Sequence, residues 1–329
     1  MTIKQELTGV LMIHRSDAYT LRIRCCGRSF SKGRKGKDTT CRCAMEIHPL
    51  QSEYGTRHAR RRKDEAMKNR LNVLLINGSP RGSASNTYAL ARAFIRGMGD
   101  IELKEIAVYK ADIQHCRGCQ YCLTQQPGHC IITDDDMASI LQDFKWADIT
   151  IWSMPLFDFS IPSKTKALLD RLMPMFSVAM KIDEDGFPAH LYLDSSYRSD
   201  TLLISTAGFP VAEHNYELLT GYMQRRFRST YKGAVTMPQG ELMRTDPRDP
   251  MAAEIKTAIE EYLKKVSDAG SYFREHGELS AEIQEELKRP ILNPADYMDG
   301  VNAVAAALTR QLNSCRKESG NRDGKGTEE

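Results

Sequence analysis

Short apolar runs alternate with amphipathic stretches along the chain from Leu71 onward. Leu71–Asn77 is almost continuously apolar, which is typical of a strand buried on both faces of a parallel sheet. Residues 87–98 then carry apolar side chains at helical spacing. Four further strands are predicted over 102–108, 148–153, 201–206 and 233–237. Helices are predicted over 134–144, 163–173, 211–227 and 252–273.

Strands that alternate with helices form crossover units, which build a parallel sheet covered by helices on both faces. The pattern therefore predicts an α/β fold with a doubly wound, five-stranded parallel sheet of flavodoxin-like type over residues 67–275. Residues 276–316 predict a C-terminal helical extension, with helices over 280–288 and 295–312, and 317–329 predict a disordered polar tail. Ligands of doubly wound sheets bind beyond the carboxyl ends of the strands. The loops that follow the first, third and fourth strands are therefore the candidates for function.

Residues 1–66 differ in composition from the remainder of the chain. They hold 15 Lys and Arg against 7 Asp and Glu, whereas the whole chain has a net charge of +3. No amphipathic period persists in them, so we expect a disordered basic extension. If translation starts at Met67, this segment is an artefact of the gene model. Because its basic residues lie on no clear helical face, binding of nucleic acid ranks last among the hypotheses.

Hydropathy places no part of the chain in a membrane. No run approaches the roughly 20 apolar residues of a membrane-spanning helix, so no membrane partner is expected. The first 24 residues lack the unbroken apolar segment of a secretory signal. We therefore expect a cytoplasmic protein. Clustered cysteines in that compartment indicate metal or redox sites before disulfides.

The loop after the first strand is rich in hydroxyl groups and leads into a helix. Ser79, Ser85 and Thr87 offer hydroxyls, and Arg81 offers a guanidinium. Backbone N–H groups, hydroxyls and the positive end of a helix dipole together suit a phosphate monoester. The loop contains neither the Walker sequence nor GxGxxG. The alternative is an ordinary strand–helix turn with a helix cap.

The loops after the third and fourth strands carry features that suit a flat ring. Phe157 and Phe159 flank Asp158, and aromatic faces at a ligand edge can cover a heterocycle. In the other loop, Gly208 allows a ring to approach the backbone closely. The alternatives are aromatic side chains that pack within the loop and an ordinary turn.

Three segments carry a family resemblance. INGSPRGSASNT, MPLFDFSIPSKTKALLDRL and STAGFP occur in the order and spacing of the NADPH-dependent FMN reductase family, and they most resemble its iron–sulfur flavoprotein-type branch. The resemblance spans about residues 71–233 and implies FMN as cofactor. A tyrosine is frequent in the family where Phe157 stands, so a phenol contact is absent here. The resemblance implies phosphate contacts from Ser79, Arg81, Ser85, Asn86 and Thr87, ring contacts from Pro155, Leu156, Phe157, Asp158 and Phe159, and contacts to the polar ring edge from Thr206, Ala207 and Gly208.

A compact cysteine motif, C-x2-C-x2-C-x7-C, follows the second strand. It consists of Cys116, Cys119, Cys122 and Cys130. This compact spacing is typical of [4Fe–4S] ligands, whereas zinc sites more often use two separated C-x2-C pairs and come second. Iron–sulfur flavoproteins carry their cluster in such a motif close to FMN. A redox-active dithiol and plain loop cysteines remain as alternatives. A second group of four cysteines lies within the basic segment and resembles another metal site, but we give it little weight. It consists of Cys25, Cys26, Cys41 and Cys43.

The resemblance implies an FMN-dependent NAD(P)H oxidoreductase, assembled as a homodimer or homotetramer. Its electrons would pass to a quinone, a flavin or another small-molecule or protein acceptor, with a [4Fe–4S] cluster as one route. Because a flavin carries out this chemistry itself, no catalytic side chain is predicted. His115, beside the motif, is either a proton donor or merely solvated. The rival hypothesis is a non-catalytic flavodoxin-like electron carrier or thiol redox sensor.

Overall fold

The computed structural model describes residues 18–23, 45–50, 70–182, 186–248 and 250–320. The chain divides into two units, Met1–Lys68 and Asn69–Glu329. In the first unit, strands β1 (Ala18–Ile23) and β2 (Met45–Leu50) pair antiparallel. The other residues of the predicted basic extension, including its four cysteines, lie outside the described residues, and its disorder stays a prediction.

The second unit alternates strands and helices, as the pattern predicts. All five predicted core strands are present, with ends within two residues of the predicted ones. The elements are β3 (Leu71–Asn77), α1 (Asn86–Gly97), β4 (Ile101–Ala107), α2 (Tyr121–Thr124), α3 (Met137–Trp146), β5 (Ile149–Ser153), α4 (Ser163–Asp170), β6 (Phe176–Ile182), β7 (Pro188–Tyr192), β8 (Asp200–Thr206), α5 (Glu217–Phe227), β9 (Tyr231–Met237), α6 (Ala252–His276), α7 (Ala281–Leu287) and α8 (Pro294–Gly320).

The central sheet has five strands in the order β4-β3-β5-β8-β9, and every neighbouring pair is parallel. From β3 the chain first moves to β4 on one side and then crosses to β5 on the other. This reversal places the switch point between the carboxyl ends of β3 and β5, where such sheets bind ligands. The predicted doubly wound, flavodoxin-like sheet with additional C-terminal helices is confirmed.

Alternate residues of the central strands pack into two separate apolar cores, one on each face of the sheet. Leu74 and Ile76 of β3 pack with α3, α4 and α5, whereas Val73 and Leu75 pack with α1 and α6. Both faces of the sheet are therefore covered, which explains why the strand sequences are continuously apolar rather than alternating.

Helices α1 and α6 touch backbone to backbone on the second of these faces. A Cβ built on Gly270 would lie 2.0 Å from the carbonyl oxygen of Phe94, and one on Gly97 would lie 1.7 Å from the carbonyl oxygen of Ser267. Only glycine permits this approach, because any side chain would force the two helices apart. The position of α1, which begins at the first candidate loop, thus depends on its contact with α6.

Several boundaries differ from the predicted ones. The helix predicted over 211–227 begins only at Glu217, because residues 211–216 form turns, and the helix from Ser163 ends at Asp170, ahead of a 3₁₀ turn over Met173–Met175. The antiparallel hairpin β6–β7 is an addition for which the pattern gave no prediction. Helix α8 runs past the predicted end at residue 312, and residues 321–329 of the predicted tail lie outside the described residues. Within the described ranges, no helix is long and apolar enough to cross a membrane.

Candidate functional site

The first loop (residues 78–85) connects β3 to α1 and is fastened to α4. Thr165 Oγ1 donates to the carbonyl of Gly78 at 3.3 Å. A Cβ on Gly78 would lie 2.5 Å from that same hydroxyl, so the close contact requires glycine. Ser79 is buried and its hydroxyl accepts from the backbone N–H of Arg81 at 3.3 Å. The first loop therefore has a fixed shape at the carboxyl end of β3.

The start of α1 offers donors of the kind a phosphate needs. Ser85 caps the helix by accepting from the N–H of Tyr88 at 3.2 Å. The N–H groups of Asn86 and Thr87 lie in the first turn, where helix geometry provides no intrahelical acceptor. Ser85 and Thr87 are buried, whereas the side chain of Arg81 is exposed beside them in the sequence. Hydroxyls, N–H groups and one cation thus occur together at this helix terminus, which suits an anion.

The second loop (residues 154–162) follows β5 and contains a tight turn. Phe157 and Ser160 exchange two backbone hydrogen bonds, of 3.2 and 2.8 Å. The two central residues, Asp158 and Phe159, have left-handed backbones with φ of 48° and 57°. Such positive values at both central positions define a type I′ turn, which non-glycine residues adopt at a cost. The turn projects both Phe157 and Phe159 into solvent at 45% and 39% exposure.

An aromatic pair joins the second loop to the third loop (residues 207–210), which follows β8. The rings of Phe159 and Phe209 stack with centroids 5.4 Å apart and an interplanar angle of 16°. Both rings are more than one third exposed. Sequence reasoning did not name Phe209 as a site residue, although it lies within the STAGFP segment. The stacked pair forms an exposed aromatic platform at the carboxyl edge of the sheet.

The fourth loop (residues 238–245), after β9, connects the other loops, and no sequence signal pointed to it. Asn86 Nδ2 donates to the carbonyl of Gly240 at 2.7 Å, and the N–H of Gly240 donates to the carbonyl of Ala207 at the same distance. The N–H of Leu156 in turn donates to the carbonyl of Thr206 at 3.0 Å. The first, second and third loops are therefore joined by hydrogen bonds. One hydrogen of the Asn86 side-chain amide is used in this contact, and the role of Asn86 as a phosphate ligand stays a prediction.

The predicted ring residues lie on the second and third loops and at the end of β8. Pro155 and Leu156, which precede the turn, are half-buried. Phe157, Asp158 and Phe159, which form the turn, are exposed. At the end of β8 and the start of the third loop, Thr206 and Ala207 are buried and Gly208 is exposed.

The cysteine motif lies in a segment between β4 and α3 that contains the single-turn helix α2. Cys116 and Cys119 are exposed, Cys122 and Cys130 are half-buried, and all four are free thiols. Burial raises the pKa of Cys122, and electrostatic repulsion from the other three thiols raises it further. Among the described residues, however, no three His, Cys, Asp or Glu side chains are grouped tightly enough to hold a metal ion.

A buried ion pair contacts the cysteine segment on both sides of the motif. Arg171, which follows α4 directly, is 1% exposed and pairs with Asp135, whose side chain is equally buried. The same guanidinium donates to the carbonyls of Gln114 at 2.8 Å and Ile132 at 3.4 Å, on either side of the motif. Burial raises the pKa of Asp135, but hydrogen bonds from Arg171 and two backbone N–H groups outweigh it and lower the pKa overall. His115 is exposed at the edge of this segment.

A cavity of about 440 Å³ lies away from these loops, between α5, α7 and the first residues of β9. Its lining includes Tyr231 and Gly233, which belong to the amino-terminal half of that strand, and none of the predicted site residues. Because ligands of doubly wound sheets bind at the carboxyl ends, this cavity is a poor candidate for the main site.

Comparison with known proteins places this architecture in a class. Residues 71–266 match the model of a family described by its flavodoxin-like fold. This match covers more than half of the chain, so the protein belongs to the flavodoxin-like fold family.

A curated relative agrees with the resemblance inferred from the motifs. An iron–sulfur flavoprotein of Methanocaldococcus jannaschii is 28% identical over 115 residues, which cover 34% of this chain and 56% of that protein. The chain thus spans a little over half the length of the curated relative that it matches.

Solved structures with a similar chain fold include two reductases. An FMN-dependent NADH-azoreductase from Bacillus anthracis, in complex with FMN, is 20% identical with a TM-score of 0.44, over 62% of this chain and 99% of that one. An NAD(P)H:quinone oxidoreductase from Methanothermobacter marburgensis is 14% identical with a TM-score of 0.44, over 63% and 98% of the two chains.

Proposed function

We propose that this protein is an FMN-dependent NAD(P)H oxidoreductase that passes electrons to a quinone, a flavin or another acceptor. The observation that carries the proposal is the joining of the first, second and third loops by hydrogen bonds at the carboxyl edge of the sheet. A cofactor with a phosphate at one end and a flat ring at the other would contact all three loops at once. Membership in the flavodoxin-like family and similarity to a flavoprotein support the choice of FMN.

The first loop would hold the phosphate. Ser79, Ser85 and Thr87 supply hydroxyls, and the first turn of α1 supplies N–H groups and the positive end of its dipole. Arg81 would add a guanidinium, which binds phosphate oxygens through two parallel hydrogen bonds. Because the Gly78–Thr165 contact already fixes the loop, little conformational entropy would be lost on binding.

The second and third loops would hold the ring. The type I′ turn fixes Asp158 and the two exposed phenyl rings in place before any ligand arrives. The Phe159–Phe209 pair presents an apolar surface against which a flat ring can stack. The hydride and single-electron chemistry would be supplied by the bound flavin. The protein's part is to orient the ring and leave one of its faces open to nicotinamide and acceptor.

The cysteine segment provides the donor set of a [4Fe–4S] cluster but not its arrangement. Four thiols fall within fifteen residues, and a curated relative is an iron–sulfur flavoprotein. The described thiols are not gathered tightly enough for a metal ion, so no electron-transfer step is assigned to a cluster. We propose that Cys116, Cys119, Cys122 and Cys130 bind the cluster, with a reactive dithiol as the alternative.

Exposed apolar surface supports the expected homodimer or homotetramer. Val178, Met180 and Ile182 occupy alternate positions of β6, with exposures of 59%, 65% and 66%. Exposed apolar side chains that cluster in this way commonly mark a protein interface. We propose that copies of this chain associate in the cytoplasm, and light scattering of the purified protein measures the assembly.

The experiment that tests the proposal is an anaerobic titration of the full-length protein with FMN, followed by NADPH and a quinone. Oxidised-flavin absorption on the protein, with steady NADPH oxidation, is the expected result. Flavin bound without turnover would favour the electron carrier, and no flavin bound would refute the proposal. Iron and acid-labile sulfide measured on the same sample decide separately between the cluster and the dithiol.

Arg81→Ala tests whether the phosphate end of FMN lies at the first loop. Loss of a charge-assisted hydrogen bond should weaken FMN binding by about 10- to 100-fold. Riboflavin, which has the same ring and no phosphate, is the matched control, and its affinity should not change. Equal weakening for both ligands would contradict the assignment of the phosphate to the first loop.

A further inference from the structure

The C-terminal extension returns to the site at the carboxyl edge of the sheet. After α7, residues 291–297 contact the third and fourth loops through Gln239 and Gly208. The family match ends at residue 266, so this segment lies beyond the shared fold. We call residues 291–297 the C-terminal strap.

Gln239 is the centre of this contact. It is completely buried and adopts a left-handed backbone with φ of 55°. Its Nε2 donates to the carbonyls of Pro210 at 3.1 Å and Leu292 at 2.9 Å. Its Oε1 accepts from the N–H groups of Ile291 at 3.0 Å and Leu292 at 2.8 Å. An amide has two donors and two acceptor positions, so this side chain is fully used in joining the strap to the third loop.

Two further hydrogen bonds fix the third loop. The backbone N–H of Gln239 donates to the carbonyl of Phe209 at 2.8 Å. The hydroxyl of Tyr297 donates to the carbonyl of Gly208 at 3.0 Å. Burial raises the pKa of Tyr297, and the charge of Glu241 raises it further, so the hydroxyl stays protonated as a donor. Three consecutive carbonyls of the third loop, those of residues 208 to 210, are therefore all held by Gln239 or Tyr297.

We infer that the C-terminal strap is part of the flavin site and that Gln239 and Tyr297 are positioning residues for the ring. This inference rests on the proposed function, because the third loop is the one expected to contact the ring edge. Phe209, one half of the aromatic platform, is anchored at its carbonyl by Gln239. The strap thus holds Gly208 directly through Tyr297, and it holds the side chain of Gln239, whose backbone N–H anchors Phe209.

Tyr297→Phe tests the inference in the full-length protein, because it removes one hydroxyl and keeps the buried ring. The carbonyl of Gly208 would lose its partner, and FMN binding should weaken by about two- to tenfold. Amide hydrogen exchange over residues 207–210 should become faster in the protein without FMN. Tyr272→Phe is the matched control, since that ring stacks on His276 rather than reaching the third loop. It should change neither measurement.

Gln239→Leu provides a stronger version of the same test. It leaves the N–H groups of Ile291 and Leu292 and the carbonyl of Pro210 without partners, so FMN affinity should fall by more than about tenfold. If this variant does not fold, Tyr297→Phe alone decides. Unchanged FMN affinity and unchanged exchange in Tyr297→Phe would overturn the positioning role and leave the proposed function standing. A wild-type protein that binds no FMN would overturn both.

Discussion

Replacing Gly270 by alanine should destabilise the fold, because α6 touches α1 at this residue. The added Cβ would lie 2.0 Å from the carbonyl oxygen of Phe94, whereas ordinary contact begins near 3.4 Å. The two helices must therefore separate by more than an ångström. Overpacking of this kind costs up to about 3 kcal/mol. Alanine returns about 1 kcal/mol through its higher helix propensity, so the net loss is about 2 kcal/mol.

Thermal unfolding followed by circular dichroism measures this loss. For a domain of this size, about 2 kcal/mol lowers the Tm by roughly 4–8 °C. Gly221→Ala is the matched control, since Gly221 is an exposed glycine inside α5 with nothing within 4 Å of its Cβ position. That substitution should raise the Tm by about 2–4 °C through propensity alone. If Gly270→Ala is as stable as Gly221→Ala, the helices do not approach as described.

The same substitution should also affect the first loop. Helix α1 begins at this loop and packs against α6. Moving α1 away from α6 would displace the N–H groups that are proposed to bind phosphate. Gly270→Ala should therefore weaken FMN binding more than riboflavin binding, measured by fluorescence at a temperature where the variant is fully folded. Equal weakening of both ligands would indicate a general loss of structure.

Two further predictions concern the buried ion pair. Arg171→Met would leave Asp135 buried without its counter-charge, so urea unfolding should show a loss of about 3–5 kcal/mol, and a loss below 1 kcal/mol would contradict the description of the pair. The pKa of Asp135 is lowered below its usual 3.8. Its charged form therefore stabilises the fold fully above pH of about 4, and this stability is lost as the pH falls through the lowered pKa. When the unfolding free energy is measured as a function of pH, Asp135→Asn should remove that part of the pH dependence. An unchanged dependence on pH in acid would contradict a lowered pKa of Asp135.

Strands β3, β5 and β8 could be predicted because they are buried on both faces and so carry nearly continuous apolar runs, whereas the edge strand β4 is largely exposed. β3 and β8 show this directly, with five and six successive buried residues. The hairpin β6–β7 escaped prediction because it has no buried apolar run: Val178, Met180 and Ile182 face solvent, and only its ends pack against the core. Helix α5 begins later than its pattern suggests, since the turns over residues 211–216 take up the first part of the amphipathic stretch.

The first and second loops could be chosen as candidates because loop position follows from strand order and because hydroxyls and aromatics have recognisable chemistry. Gln239 could not be found in this way. Its role comes from an amide that is buried between segments 29 and 53 residues away in the chain, at Pro210 and Leu292. No local pattern records such a contact. The sequence predicted candidate ligand groups, but it gave no sign of the Gln239 contacts that hold the third loop.

In the cysteine segment, too, the sequence shows the candidate ligands but not the residue that shapes the segment. Spacing alone suggests a cluster site, yet the shape of the segment is set from outside it by Arg171, at the end of the helix that follows the second loop. The carbonyls on both sides of the motif are fixed by this one guanidinium, so only the residues between them can move to gather the four thiols. Cys116 and Cys119 are exposed and lie in a stretch with left-handed residues at Gly118 and Gln120. A rearrangement that gathers the four thiols around a cluster would therefore fall between residues 114 and 132, with contacts of Arg171 at both ends.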